Sequence, residues 1–268
     1  MKAPVFAKSG IRVPYFRCST CGFVFTNYLD SWTSAEIADR IYNADYILAD
    51  PGFAEERPRY IAGEIDKLLG PMKETLKILD YGGGDGRLVD ELRKYNFFNV
   101  RCFDPFFSSS PKPEMQFELV TAFEVVEHAV DPILSFEDAL SFVEPNGALL
   151  FSTSLLSRKP DKNWFYIAPR NGHISIHSWE SLQWVASRLG VKCLSLNNHL
   201  HLIYGDAAST VAKHIAKTQQ EASLYAASIR GIRSFMQTER IFGELGFAKS
   251  RVYIRHLSRA LLASIGLV

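Results

Sequence analysis

The spacing of apolar residues changes several times along the chain, and each change predicts a different element. Between Leu76 and Ser154 short apolar runs alternate with amphipathic stretches. LKILDYG (76–82), NVRCFD (99–104), ELVTAF (118–123) and ALLFSTS (148–154) are predominantly apolar and of strand length. GRLVDELRKY (86–95) gathers Leu88, Val89 and Leu92 on one side, and ILSFEDALSFV (133–143) is similarly spaced, so both predict helices. The turn Pro145-Asn146-Gly147 is expected to introduce the last of these strands. Buried strands alternating with helices predict an α/β fold. The expected form is a Rossmann-like, doubly wound, mostly parallel sheet with helices on both faces.

The flanks differ. Residues 31–70 read as helical, with Ser34 ahead of AEIADRIY as a start signal and Gly70-Pro71 as a stop. SWESLQWVASRLG (178–190) predicts a helix capped by Ser178 and closed by Gly190. VKCLSLN and HLHLIYG (191–205) have little between them, which predicts a hairpin adding an antiparallel final strand at one sheet edge. The expected organisation is a β-rich unit over 1–30, a main domain with N-terminal helices over 31–205, and a helical extension over 206–268. That extension is basic, with nine Lys or Arg against four acids.

Composition narrows the function classes. The 268 residues carry a formal charge of +1, which gives no global electrostatic case for a nucleic-acid partner. No apolar run reaches the roughly 18 residues that a membrane span needs. The opening MKAPVFAKSGIRVPYF lacks the apolar stretch of a secretory signal. Four cysteines make no disulfide framework, and a reducing cytoplasm is the expected compartment. Cys18-Ser-Thr-Cys21-Gly22 looks like one knuckle of a zinc ribbon, yet a closed zinc site needs four ligands and no second Cys-x-x-Cys exists. Cys102 and Cys193 fall in predicted core strands, so the pair reads as a degenerate knuckle and zinc is not expected. The basic tail could cover a site, form a homodimer or touch an anionic carrier lipid or glycan, but charged helices are usually solvated faces.

Candidate chemistry begins at Asp80-Tyr81-Gly82-Gly83-Gly84-Asp85-Gly86, which closes a strand and opens a helix. Glycines let the backbone turn tightly and approach a ligand. The Asp-x-Gly-x-Gly-x-Gly spacing differs from the Gly-x-Gly-x-x-Gly of a dinucleotide fold, and the Lys-Ser/Thr of a phosphate loop is missing. Asp80 at the strand end favours a cationic ligand over a pyrophosphate. Asp104 ends the next strand, placed to accept two hydrogen bonds from a ribose diol.

In this order LKILDYGGGDGRL, VRCFDPF and FELVTAFEVVEHAVDP resemble the successive motifs of class I S-adenosylmethionine-dependent methyltransferases. The resemblance covers about residues 55–205. It is strongest to the branch with Glu-His after the fourth strand, which includes ubiquinone-biosynthesis O-methyltransferases and many enzymes of polysaccharide loci. It implies S-adenosylmethionine as donor. Asp80, Gly82, Gly83 and Gly84 would hold its amino-acid part, Asp104 its ribose, and Phe123 would border the adenosine or sulfonium. Tyr81, Pro105 and Glu124 belong to the same donor-binding motifs. One departure stands out: too few residues separate Phe106 from Phe117 for the usual helix and third strand, and SSSPKPEMQ reads as a loop. No acid is therefore assigned to the adenine amine.

The reacting end is expected in Glu124-Val-Val-Glu127-His128 and Gly172-His173-Ile-Ser-Ile-His177. Methyl transfer needs an acceptor that is positioned and deprotonated, and histidine is a natural base near neutral pH. His128 and His173 are the candidates. A second reading uses Glu124, Glu127, His128 and His173 as ligands of Mg²⁺ or Mn²⁺, a set similar to that of small-RNA 2′-O-methyltransferases. Trp164, Phe165 and Tyr166 could cap a sugar or aromatic acceptor, or simply anchor their loop. The expected reaction is O-methylation of a hydroxyl on a small molecule or a sugar or glycan. The rivals are a nicotinamide oxidoreductase, disfavoured by the glycine spacing, and a non-catalytic scaffold of the same fold.

Overall fold

The computed structural model describes residues 10–105, 111–157, 163–205 and 209–220. The chain opens with two short antiparallel strands, β1 (Phe16–Arg17) and β2 (Val24–Phe25). Between them the Cys-x-x-Cys turn is closed by Cys18 N–H to Phe23 carbonyl (2.8 Å) and Gly22 N–H to Cys18 carbonyl (3.0 Å). Helix α1 (Ser34–Arg40) begins at Ser34 itself, so its cap lies one residue earlier than expected. Thr33 is the cap, its hydroxyl accepting from Glu36 N–H while Glu36 accepts from Thr33 N–H. A short α2 (Tyr46–Ala49) follows, then α3 (Glu56–Leu69), which buries Ala62, Ile65, Leu68 and Leu69 and stops at Gly70-Pro71.

The main sheet begins at β3 (Ile78–Tyr81), all four residues of which are buried. It continues through α4 (Arg87–Lys94), β4 (Val100–Phe103), β5 (Phe117–Ala122), α5 (Pro132–Ser141) and β6 (Val143–Ser152). Next come β7 (Ser175–Ile176), α6 (Trp179–Arg188), β8 (Lys192–Ser195) and β9 (Leu200–Tyr204). A last helix, α7, is described over 210–220. The sheet order is β4-β3-β5-β6-β9-β8, with β4, β3, β5 and β6 parallel. β9 is antiparallel to β6, and β8 pairs with β9 as the expected hairpin.

β6 corrects one expectation. Pro145-Asn146-Gly147 lies inside the strand, because pairing with β5 already starts at Val143. Phe117 faces Val143 and Leu119 faces Ala148, so the intervening residues bulge. The bulge suits Gly147, where a Cβ would stand 2.8 Å from the Glu118 carbonyl.

Helices cover both faces. On one, α3, α4 and α7 bring Ile65, Leu69, Leu92 and Ile215 onto Ile78 and Leu119. On the other, Phe136 of α5 and Leu182 of α6 meet Val120, Leu149 and Phe151. Each such side chain removed from water contributes roughly 1.5–3 kcal/mol before entropy is counted. Val211, Ala212 and Ile215 make the start of the basic extension part of this core. The chain divides into compact units Met1–Lys217 and Thr218–Val268. Of the basic positions in the extension, only Lys213 and Lys217 lie within the described residues.

The N-terminal strands are not free-standing, since β2 pairs antiparallel with β7. Thr26 N–H also donates to Ile174 carbonyl at 3.0 Å, and Tyr15 hydroxyl to His173 carbonyl at 2.6 Å. The knuckle thus buttresses the segment carrying His173. Where a third parallel strand would lie, a groove of about 760 Å³ runs along β4, lined by Arg101, Cys102 and Lys112 among others. Among the described residues no helix is long and apolar enough to cross a membrane.

Candidate functional site

The chain winds outward from β3 to β4, then returns to place β5 on the other side of β3. Open parallel sheets bind ligands beyond the strand ends at such a reversal. The glycine loop leaves β3 there. Gly82 has φ +71°, and a Cβ on it would come 2.5 Å from Val125. A Cβ on Gly83 would collide with the Asp80 carboxylate. Gly84 donates its N–H to Asp104 Oδ2 at 2.9 Å, so the loop is tied to the end of β4.

The two acids differ in setting. Asp80 is only 2% exposed and lies beneath the loop, where its Oδ1 accepts from Thr121 hydroxyl at 2.8 Å. Burial pushes its pKa up to about 7. Asp104 sits at the strand end beside the glycine loop. Tyr81, grouped by sequence with the donor residues, sends its side chain away. Its hydroxyl donates to Asp138 of α5 at 2.8 Å, leaving only backbone at the loop. Pro105 is exposed, and Phe123 is half-buried against the α3–α4 core.

Glu124 follows β5 with φ +56°, a left-handed conformation that costs a non-glycine residue roughly 1–3 kcal/mol. Ser152 offsets it by accepting from Glu124 N–H (2.9 Å) and donating to Oε1 (3.0 Å). Arg57, bidentate to Asp50 at 2.8 Å, lies 3.8 Å from Oε2.

A single turn of 3-10 helix, Val126–His128, then presents Glu127 and His128. Gly172, at φ +84°, turns the chain so that His173 meets them. One ligand atom from each of Glu127, His128 and His173 lies within 4.8 Å of the others. The rings of His128 and His173 are 5.1 Å apart, edge to face. His128 Nδ1–H donates to Gly172 carbonyl at 3.0 Å and His173 Nδ1–H to Tyr166 carbonyl at 2.9 Å. Each imidazole therefore keeps a lone pair on Nε2. Burial holds both neutral, His128 at about 3 and His173 below its usual value. Glu127 Oε1 accepts from Tyr166 hydroxyl at 2.6 Å, whereas Oε2 is buried without a partner among the described residues. Burial, with Glu124 nearby, raises this carboxyl well above the usual range.

Three of the four expected reacting-end residues thus come together, while Glu124 stands apart with Ser152 and Arg57. Two imidazole nitrogens held by carbonyls and an orphaned carboxylate oxygen fit a divalent cation such as Mn²⁺. Mg²⁺ prefers an all-oxygen set. Among the described residues no comparable cluster includes Cys18 or Cys21. Tyr166 is not an acceptor cap, since its hydroxyl is turned inward onto Glu127. Phe165, 75% exposed, is the open ring of that trio. Sequence reasoning missed Thr121 and Tyr166's inward role, and it placed Gly172 in the reacting segment without its turning role. For Gly172 the Asn171-Gly172 pair ahead of His173 was the available signal.

A methyltransferase domain family model matches residues 53–196, more than half of the chain. The chain belongs to this methyltransferase domain family. The matched span contains the glycine loop, Asp104 and the Glu127-His128-His173 cluster. No curated protein sequence matches. Similar solved structures include DesVI of Streptomyces venezuelae, at 12% identity and TM-score 0.43 over 60% of this chain and 96% of that one. An O-methyltransferase family protein of Burkholderia thailandensis shares 14% identity, TM-score 0.40, over 58% of this chain and 61% of that one. An O-methyltransferase of neocarzinostatin biosynthesis, in complex with S-adenosyl-L-homocysteine and 1,4-dihydroxy-2-naphthoic acid, shares 9%, TM-score 0.39, over 60% of each chain. The chain spans about three-fifths of the length of the latter two. Likeness at this level identifies neither substrate nor site residues.

Proposed function

We propose that the chain is an S-adenosylmethionine-dependent methyltransferase acting on a hydroxyl of a small molecule or sugar, within the Glu-His branch. The observation that carries this reading is the Gly84–Asp104 bond, which brings the acid ending β4 against the glycine loop at the sheet's reversal. The cradle fits the donor: Gly82 and Gly83 have no room for a Cβ, so only glycine lets the loop fold this closely over Asp80 and Val125 at the strand end. Bound S-adenosylmethionine supplies an electrophilic methyl on a sulfonium.

The remaining work falls to residues of the chain. Asp104 accepts from the ribose diol, and Asp80 braces the loop from below while its carboxylate favours the donor's positive charge. Glu127, His128 and His173 face the acceptor hydroxyl, orienting it for in-line attack and taking its proton. A second reading is favoured by the orphaned Glu127 Oε2. Glu127, His128 Nε2 and His173 Nε2 would hold a divalent cation, which lowers the pKa of a bound hydroxyl.

Titration calorimetry with S-adenosylhomocysteine, followed by transfer of labelled methyl from S-adenosylmethionine to a panel of phenols and sugars, tests the proposal. Saturable binding together with label on oxygen supports it. A folded protein that binds neither donor nor product sinks it.

A further inference from the structure

The turn between α1 and α2 lies outside the matched domain, yet it reaches the reacting end. Tyr42 stands on it with its ring 6.0 Å from that of His128, edge on. Its hydroxyl oxygen would lie 3.3 Å from a Cβ on Gly172, the residue whose carbonyl holds His128. The residue is 46% exposed, so the ring borders open space while its hydroxyl end is crowded by the site. Among the described residues this hydroxyl makes no hydrogen bond. Burial raises its pKa, with Tyr46 beside it adding to the rise.

The mount is rigid. Arg170 grips the chain on both sides of Tyr42, through Nη1 to Ile41 carbonyl at 2.9 Å and Nη2 to Asn43 Oδ1 at 3.2 Å. Tyr46 backs the ring at 5.2 Å and is itself backed by Phe53 at 5.2 Å. A phenol held on both flanks beside His128 and Gly172, with its oxygen unengaged among the described residues, is placed to meet a ligand rather than to hold the fold together.

We propose that the Tyr42 hydroxyl contacts the transferring methyl end of the donor, and that Arg170 is the positioning residue that holds it there. The assignment rests on the donor reading above. A phenol oxygen accepts weakly from the polarised C–H groups of a sulfonium methyl. It accepts strongly from an ammonium at the same place.

That contrast supplies a test needing no acceptor. Sinefungin, the donor analogue with an amine-bearing carbon in place of the sulfonium methyl, is compared with S-adenosylhomocysteine, which has nothing there. Both are titrated by calorimetry into full-length wild type, Tyr42→Phe and Arg170→Gln, with melting curves to establish folding. We expect Tyr42→Phe to lose about tenfold in sinefungin affinity and less than about twofold for S-adenosylhomocysteine. Arg170→Gln should show the same selective loss, smaller in size, and Arg170→Lys should not restore it, because one ammonium cannot grip both neighbours. Parallel loss of both ligands, or no loss of either, in folded Tyr42→Phe overturns the contact. Wild type failing to bind S-adenosylhomocysteine removes the donor reading, and the Tyr42 assignment with it.

Discussion

Asp104 accepts the Gly84 N–H at 2.9 Å, so one carboxylate joins the end of β4 to the loop leaving β3. Its removal should weaken donor binding twice over, by releasing the loop and by leaving the ribose diol unmatched. Asp104→Ala is expected to cost on the order of 1.5–3 kcal/mol, or about 10- to 150-fold in affinity. Calorimetry with S-adenosylhomocysteine reads this directly. A folded variant with unchanged affinity would end the ribose assignment.

Asp80 leads to a prediction of opposite sign for stability. Its pKa is pushed up to about 7 by burial, from an ordinary carboxylate value of 3.8. Between those values the folded state holds a proton that the unfolded state releases, so stability falls as pH rises through the window. Asp80→Asn keeps a partner for Thr121 and removes the buried charge. We expect it to be more stable than wild type at pH 8, by at most about 4 kcal/mol, with the gap closing by pH 4. It should also bind the cationic donor more weakly than wild type does. Denaturant melts at the two pH values, paired with donor titrations, would expose an error in either half.

How much of this was legible beforehand depends on the range of the interaction. The loop, Asp104 and Glu127-His128 lie on contiguous motifs; of the connection expected to be a loop, residues 111–116 carry no strand and 106–110 lie outside the described residues. The mostly parallel sheet with its antiparallel edge strand was legible because buried runs and helix caps such as Ser178 are local signals. What stayed hidden were contacts spanning long sequence separations. No spacing places Tyr15 on the His173 carbonyl, or turns Tyr166 from a surface aromatic into the partner of Glu127. Glu124 left the proposed ligand set for a comparable reason, since Ser152 and the left-handed backbone at Glu124 draw its carboxylate elsewhere.

The cluster of Glu127, His128 and His173 makes a metal prediction that is separate from donor binding. Chelator-stripped protein should take up Mn²⁺ in calorimetry with about one ion per chain. Glu127→Gln, which keeps the Tyr166 partner but replaces the unpartnered Oε2 with a non-ligating amide nitrogen, should weaken uptake by roughly 10- to 100-fold. S-adenosylhomocysteine affinity should not change, because Asp104 and Gly84 lie outside the set. Equal Mn²⁺ uptake by Glu127→Gln and wild type would assign the histidines to acceptor positioning or base catalysis instead.

Away from the site, His177 should make the fold acid-sensitive. It is buried between Phe23, 5.0 Å away, and Phe136, 6.0 Å away, with Nδ1 against Ser181 hydroxyl and Nε2 unpartnered among the described residues. Burial, helped by His201, lowers its pKa to about 3 from an ordinary 6.5. Below about pH 6.5 the unfolded chain binds a proton that the folded chain refuses, so stability rises with pH across this window and is lost as pH falls. Each unit below 6.5 costs about 1.4 kcal/mol until pH 3 is approached. Asp80 and Glu127 act in the opposite sense over part of the same range, so the net slope of wild type does not isolate His177. The difference between two proteins does. His177→Phe removes the titrating group while keeping an aromatic ring between Phe23 and Phe136. Its stability at pH 7 relative to wild type sets a baseline, and by pH 5 it should have gained about 2 kcal/mol on that baseline. His201, lowered to about 4 and held by Thr153 carbonyl, remains in both proteins and cancels. Parallel stability curves for the two proteins between pH 7 and pH 5 would show that His177 takes up its proton inside the fold.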